Sequence, residues 1–217
     1  MGVNIGLMKQ AVNEFVGGAN RLDEYALLSF QGRPQVVRPF AIDSDELLRA
    51  ADRIQAGGST APFDAVHLAV ADMRHAKYAR KALLIVSDGM DYHSRYTERQ
   101  TKRLISEADF PIYSINVWQA QQGNTYATQR RDPGFLAEIS NSTGGRQYEV
   151  RDLKKLTAAT ESINLEIRYQ YILGCVPSVR RSDGKFHKVK VKVESPQDRR
   201  LSVRYRAGDL AAAPDHK

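Results

Sequence analysis

The chain has one cysteine, Cys175, one tryptophan, Trp118, and no apolar run approaching the roughly 18 residues that a membrane helix needs. A lone cysteine excludes an internal disulfide, and no neighbouring cysteines or histidines complete a structural zinc site. Met1 to Gln10 lacks the basic start and apolar middle of a signal peptide. Also absent are a Gly-x-Ser-x-Gly elbow, the Gly-x-Gly-x-x-Gly and Gly-x-x-x-x-Gly-Lys-Ser/Thr phosphate loops, and His-Glu-x-x-His. His67 and His75 lie eight residues apart, too far to share a metal, and read as surface or packing residues. With no nucleophile and base set, the sequence points away from an enzyme and from a small-molecule substrate. Asn141-Ser142-Thr143 fits a glycosylation sequon, which carries meaning only in a secretory context.

What is present is enough for one domain of ordinary size and a small appendage: 217 residues, 42% of them hydrophobic. The net charge of +7 is unevenly placed. Residues 151–217 hold 15 Lys/Arg against 8 Asp/Glu and account for all of it, while residues 1–150 balance 17 of each sign. A basic C-terminal third suits either solubility and protection of exposed strands or contact with an anionic polymer.

Ile5, Met8, Val12 and Phe15 recur at helical spacing and predict an opening helix that stops at Gly17-Gly18. Glu24–Phe30 and Gln35–Phe40, joined by Gln31-Gly32-Arg33-Pro34, predict a hairpin. Asp43 or Ser44 can cap a helix through Gln55, and Phe63, Val66, Val70 and Met73 line the buried face of another. A strand over Lys81–Ser87, a helix over Thr97–Ala108 and a strand over Pro111–Trp118 follow. A long polar loop then leads to a helix over Asp132–Ser140 with Pro133 at its first position. A strand over Gly145–Val150 and a helix over Leu153–Arg168 complete the alternation, which argues for a mostly parallel sheet covered on both faces. Beyond it, Val189, Val191 and Val193 alternate with Lys188, Lys190 and Lys192, and Leu201, Val203 and Tyr205 alternate with arginines and Ser202. With Tyr169–Cys175 these predict a three-stranded antiparallel appendage. The expected division is residues 1–168 as the α/β domain, 169–210 as the appendage and 211–217 as a disordered tail.

The apolar strand Leu83-Leu84-Ile85-Val86-Ser87 delivers Asp88 into a turn at Gly89, at the end of a strand where open α/β sheets build their sites. That carboxylate can hold a hard cation directly or through water, and Thr60 in Gly57-Gly58-Ser59-Thr60 can add a hydroxyl oxygen to the same ion. The alternative is that Asp88 caps its turn and Thr60 or Ser59 caps the helix that begins near Pro62. Asp91, Tyr92 and Trp118 would rim the same face, with Tyr126 on the loop beyond.

On these residues the chain resembles a von Willebrand factor type A (VWFA) domain. The match runs through Gly57-Gly58-Ser59-Thr60-Ala61-Pro62-Phe63-Asp64-Ala65, Leu84-Ile85-Val86-Ser87-Asp88-Gly89 and Phe110-Pro111-Ile112-Tyr113-Ser114-Ile115. Leu165–Gly174, Asp183–Lys188 and Val203–Gly208 make it similar, more narrowly, to bacterial VWFA-related proteins first collected from acidobacteria. The resemblance implies a Rossmann-like fold and a metal ion-dependent adhesion site. There an Asp-x-Ser-x-Ser motif, a later threonine and a later aspartate hold Mg²⁺, and a partner's Asp or Glu fills the open position. Thr60 and Asp88 would be the later pair. It also suggests a secreted or extracytoplasmic protein, although the chain shows no signal peptide.

No Asp-x-Ser-x-Ser occurs in the sequence, so the expected metal site is incomplete and this chain alone is expected to bind Mg²⁺ poorly. The strand that carries that motif in the fold, central in the sheet, has no counterpart either. Glu24–Phe30 and Lys81–Ser87 must then pair directly, leave a gap, or recruit a strand from another chain as a strand-exchange oligomer. Two origins account for this: a start codon assigned at an internal Met of a longer gene, or a degenerate member. The first is the simpler, because the break falls where the helix begins. The functional expectation is a non-enzymatic, adhesion-type protein-binding module. The alternative is an anionic-polymer or nucleic-acid binder using Lys188, Lys190, Lys192, Arg204 and Arg206, together with Arg199 and Arg200.

Overall fold

The computed structural model describes residues 5–55, 57, 60–87, 93–117, 133–174, 176, 183–194, 201 and 203–211. Six α-helices and seven strands alternate along them in the order α1 (Ile5–Gly17), β1 (Tyr25–Ser29), β2 (Gln35–Ala41), α2 (Ser44–Arg53), α3 (Pro62–Asp72), β3 (Leu83–Ser87), α4 (Glu98–Ser106), β4 (Ile112–Val117), α5 (Pro133–Ser142), β5 (Gln147–Val150), α6 (Leu153–Arg168), β6 (Phe186–Lys188) and β7 (Gly208–Leu210). The helices begin where side chains can take the free amides of a first turn. Asp43 accepts from the Glu46 amide at 2.9 Å, and Asp152 from the Lys155 amide at 2.9 Å. Thr97 and Gln100 form a reciprocal capping box at the start of α4.

Strands β3, β4 and β5 form a parallel sheet with β4 in the middle, Leu83 facing Ile112 and Val117 facing Val150 in register. All six residues of β4 are buried. Its side chains divide by alternation: Ile112 joins Ile85, Val66, Ile105 and Ile139 on one face, while Tyr113, Ile115 and Val117 join Leu7, Ala11, Leu156 and Ile163 on the other. Helices α3, α4 and α5 therefore cover one side, α1 and α6 the opposite one. Side chains of α6 clamp α1 directly, with Asn164 donating to the Phe15 carbonyl at 2.9 Å and Arg168 to the Gly18 carbonyl at 3.1 Å. Gly145 is required by close packing, since a Cβ there would sit 2.0 Å from the Ile112 carbonyl oxygen.

The predicted hairpin is present as the antiparallel pair β1–β2. Among the described residues no ladder joins β1 to β3, so the two do not pair directly. A cleft of about 290 Å³ runs between them, walled by Tyr25–Phe30 on one side and Ala82–Ser87 on the other, with α1, α2 and α3 behind. Where β4 is wholly buried, every residue of β1 is only half-buried. The Tyr25 hydroxyl and Asp72 Oδ2, which line the cleft, are buried without a hydrogen-bond partner among the described residues. Burial, reinforced by the charge of Asp23, pushes the Tyr25 hydroxyl up to about 12.

The C-terminal region departs from the sequence pattern. An antiparallel pair is present, but it joins Phe186–Lys188 to Gly208–Leu210. The alternating Lys188–Val193 stretch beyond β6, the described residues of Leu201–Arg206 and the described part of Tyr169–Cys175 lie outside any strand. Alternation marks a strand with one face to bury, and here nothing covers that face: Tyr171, Ile172, Leu173, Val193 and Leu201 are exposed. Residues 203–211 instead follow the α/β body. The Ala207 amide donates to the Ser142 carbonyl at 2.9 Å, Arg206 to the Ser106 carbonyl at 2.6 Å, and the Arg204 guanidinium lies 3.7 Å from Glu166. Of the expected tail 211–217, Ala211 donates its amide to the Lys185 carbonyl at 2.9 Å, while residues 212–217 and the N-cap at Asp132 fall outside the described residues.

Truncating the doubly covered strand should cost far more than truncating the cleft wall. Ile115→Ala is expected to lower the unfolding free energy by about 2–5 kcal/mol, and Leu27→Ala by less than half of that, in urea titrations followed by circular dichroism. Equal losses would contradict this division of the core.

Candidate functional site

The parallel ladder places the C-terminal ends of β3, β4 and β5 on one edge of the sheet, where Ser87 faces Asn116 in register. Strand β1 delivers its own end to the same place. Gln31, just past β1, forms an isolated antiparallel bridge with Thr60, and the Ala61 amide donates to the Phe30 carbonyl at 3.3 Å. The Thr60 carbonyl in turn accepts from the His93 amide at 3.3 Å, which ties in the segment that follows β3. Thr60 thus sits between the residue after β1 and the segment after β3, just before the start of α3. Its proposed companions Asp88, Ser59, Asp91, Tyr92 and Trp118 lie outside the described residues.

The cap expected from Thr60 or Ser59 is replaced by another arrangement. The N-cap position of α3 is Ala61, which has no side-chain oxygen, and the Phe63 amide is taken by the Ser94 hydroxyl at 3.1 Å from 31 residues away. Proline at the first helical position removes one further free amide.

The best-fastened side chain at this corner is Asp64, only 6% exposed. Its carboxylate accepts from the Arg95 amide at 2.8 Å, the Tyr96 amide at 3.0 Å and Arg95 Nε at 3.0 Å. Burial by itself would raise its pKa. The Tyr96 amide and the Arg95 side chain and amide outweigh that and hold the carboxyl below the ordinary carboxylate range. One turn further along α3, His67 stacks flat on Tyr96 with ring centroids 3.6 Å apart, and its Nε2 is buried without a partner among the described residues. Desolvation lowers the His67 pKa, partly offset by the Asp64 charge. His67 is therefore a packing residue. Both groups stitch residues 93–96 onto the helix. Neither was singled out by sequence reasoning as a functional group, because their partners lie about 30 residues away.

Asn116 was missed as well. It is buried beside Ser87 at the strand-end edge, and its Oδ1 has no hydrogen-bond partner among the described residues. An asparagine one residue before the end of the mostly apolar strand Ile112–Val117 was the legible signal.

Magnesium requires about six oxygen ligands in near-octahedral array. Among the described residues this corner offers the hydroxyls of Thr60, Ser87 and Ser94, Asn116 Oδ1 and the Asp64 carboxylate, and the last, its only anionic group, already holds three N–H donors. No group of three or more His, Cys, Asp or Glu placed to hold a metal occurs among the described residues. The described donor set by itself does not fit a divalent cation.

The C-terminal basic residues are largely engaged. Arg206 bonds Asp209 at 3.0 Å as well as the Ser106 carbonyl, Arg204 faces Glu166, and Lys192 bonds Glu194 at 2.7 Å. Lys188 and Lys190 are exposed and make no ion pair among the described residues. Arg199 and Arg200 lie outside the described residues.

A hairpin and a parallel sheet between two helix layers, with a threonine loop at the strand ends, set the fold. Residues 2–90 match the family model of the von Willebrand factor type A domain. Over that stretch, and in its fold, the chain is VWFA-like. In fold it is similar to a von Willebrand factor type A protein from Catenulispora acidiphila, with a TM-score of 0.61 and 18% identity over 75% of this chain and 38% of that one. It is also similar to the conserved protein BatB from Bacteroides thetaiotaomicron, with a TM-score of 0.60 and 14% identity over 76% of this chain and 89% of that one. A protein of Borreliella burgdorferi is 23% identical over 159 residues, 66% of this chain and 46% of that protein. The match thus spans less than half of that relative's length. Among the described residues, no helix of the VWFA-like domain is long and apolar enough to cross a membrane.

Asp64→Asn should lower stability at neutral pH by about 1–3 kcal/mol, the scale of hydrogen bonds to a charged acceptor. Because the native pKa is depressed, that contribution is present above the unfolded carboxylate value of 3.8 and fades as pH falls through the native one. Urea titrations of both proteins from pH 7 to pH 3 should show the difference closing in acid. A constant difference would contradict the assignment.

Proposed function

We propose that this VWFA-like domain is a non-enzymatic protein-binding module of adhesion type, which engages its partner at the C-terminal edge of the β1 and β3 strands. The observation that carries this reading is the Thr60 junction, where one loop is hydrogen-bonded to the residue after β1 and to the segment after β3. Loops held on a rigid strand end are where open α/β sheets place ligands. VWFA domains typically serve as interaction modules, which supports the same reading.

The partner presents an Asp or Glu side chain to this edge. Thr60 and Asp88 are its polar floor, with Ser59, Asp91, Tyr92 and Trp118 as the rim. In family members that carry Asp-x-Ser-x-Ser, Mg²⁺ bridges the two proteins; here that motif is lacking, and without the bridging cation Asp88 repels a partner carboxylate, so this chain by itself binds such a partner weakly. A secreted or extracytoplasmic setting belongs to the same reading.

A ¹⁵N-labelled sample titrated with a short Glu-containing peptide, with and without Mg²⁺, tests this. Small shifts at Gln31, Thr60 and His93 are expected only at high peptide excess, and calorimetry should find no tight stoichiometric Mg²⁺ uptake. Shifts confined to Lys188–Lys192 and Arg204, collapsing steeply with salt, would favour the anionic-polymer reading instead. Tight Mg²⁺ binding would overturn the incomplete-site reading.

A further inference from the structure

Residues 93–96 lead from the segment after β3 to the capping box of α4, and each of them is fastened. The His93 amide donates to the Thr60 carbonyl at 3.3 Å, and the Ser94 hydroxyl accepts from the Phe63 amide at 3.1 Å. Asp64 accepts from the Arg95 and Tyr96 amides at 2.8 Å and 3.0 Å. The Tyr96 ring lies on His67, with centroids 3.6 Å apart and ring planes within 2° of parallel. Of these contacts only the last involves a group that changes charge near neutral pH.

The stack suits a neutral imidazole. Tyr96 closes one face of the His67 ring, and Nε2 is buried with no acceptor among the described residues. An imidazolium donates from both nitrogens, so in this position one charged N–H would be desolvated and unpaired. Asp64, one turn earlier on α3, favours the charged form, but desolvation is the larger effect and holds the His67 pKa below its ordinary 6.5. The other elements packed on α3 leave this balance alone. Helix α4 turns Thr101 and Ile105 inward while Glu98 pairs with Lys102, and β1 brings no charge, only the Tyr25 phenol. Arg95 is committed to Asp64, and His75, His93 and the α4 arginines Arg99 and Arg103 are exposed.

We propose that His67 and Tyr96 form a pH-sensitive latch, in which protonation of His67 in mild acid expels Tyr96 from the stack and loosens residues 93–96 from α3 and from the Thr60 junction. Two consequences of the geometry act together. The freed imidazolium regains water, which favours the open arrangement. Its nearest carboxylate is Asp64, three residues back on the same helix, and Asp64 already holds three N–H donors. A fourth, charged donor competes with the Arg95 and Tyr96 amides, so the brace weakens with the stack. The open arrangement binds the proton more tightly than the closed one. Its population therefore rises as pH falls below the ordinary histidine value, by up to about tenfold for each pH unit, and levels off below the native value. The latch operates whatever partner the edge takes.

Nuclear magnetic resonance of the full chain, titrated from about pH 7.5 to about pH 5, tests this by reading each histidine through its own ring protons. His67 should titrate below 6.5. The amides of His93, Arg95 and Tyr96 should shift or broaden with the same midpoint, while those of Ile112–Val117 stay in place. His67→Phe offers Tyr96 a flat ring that takes no proton, and should abolish the transition. A His67 midpoint at or above 6.5, or segment amides that follow a different midpoint, would overturn the proposal. So would an undiminished transition in His67→Phe, which would assign it to His93. If the phenylalanine variant does not fold, the two wild-type midpoints decide.

Discussion

The structure depends on burying β4 on both faces at once. A strand in the middle of a parallel ladder has no solvated side, so its alternate residues must find two separate helix layers. Ile112 meets α3, α4 and α5; Tyr113, Ile115 and Val117 meet α1 and α6. Because β3 and β5 are held in parallel register to this strand, their ends align, and everything functional at the C-terminal edge inherits that alignment. The same constraint is relaxed at β1. There the hairpin packs on α2 and α3 while its edge toward β3 borders a cleft, and the wall residues remain half-buried. One domain thus contains a finished half and a half bordered by a cleft.

The strand-end edge is organised by backbone rather than by ligand side chains. Thr60 is tied through its carbonyl and through the Gln31 bridge, Phe63 through Ser94, and residues 95 and 96 through the buried Asp64. Three N–H donors on one carboxylate make Asp64 a brace for residues 93–96 instead of an open cation ligand. This favours a face that recognises a protein surface with fixed loops. The basic C-terminal residues serve a different purpose: Arg204 and Arg206 fasten the last described segment to α6, α4 and Asp209.

Helices and sheet strands of the α/β body were legible because their signals are local. Three-four spacing marked α1, α3 and α6, apolar runs bounded by turns marked β1 to β4, and Asp43 and Thr97 fell at the helix starts they cap. The Lys188–Val193 alternation was equally clear as a pattern, yet a period of two makes a strand only when a second layer covers one face, and Val189 and Val193 stay exposed. The pairing that does form is displaced to Phe186–Lys188 and Gly208–Leu210, where the absence of a side chain at Gly208 lets the two backbones meet; a Cβ there would lie 2.2 Å from the His187 carbonyl oxygen. Asp64, His67 and Asn116 escaped for the same reason: each is defined by contacts across about 30 residues of sequence or across the sheet. Thr60 was legible through the family resemblance, and its surroundings were not.

Native-state hydrogen exchange in dilute solution tests the split sheet most directly. Amides of Ile112–Val117 should exchange only through global unfolding, while those of β1 and β3 not engaged in the β2 or β4 ladder should open at distinctly lower free energy. Uniform protection across β1, β3 and β4 would mean that the two halves form one continuous sheet, and would contradict this account.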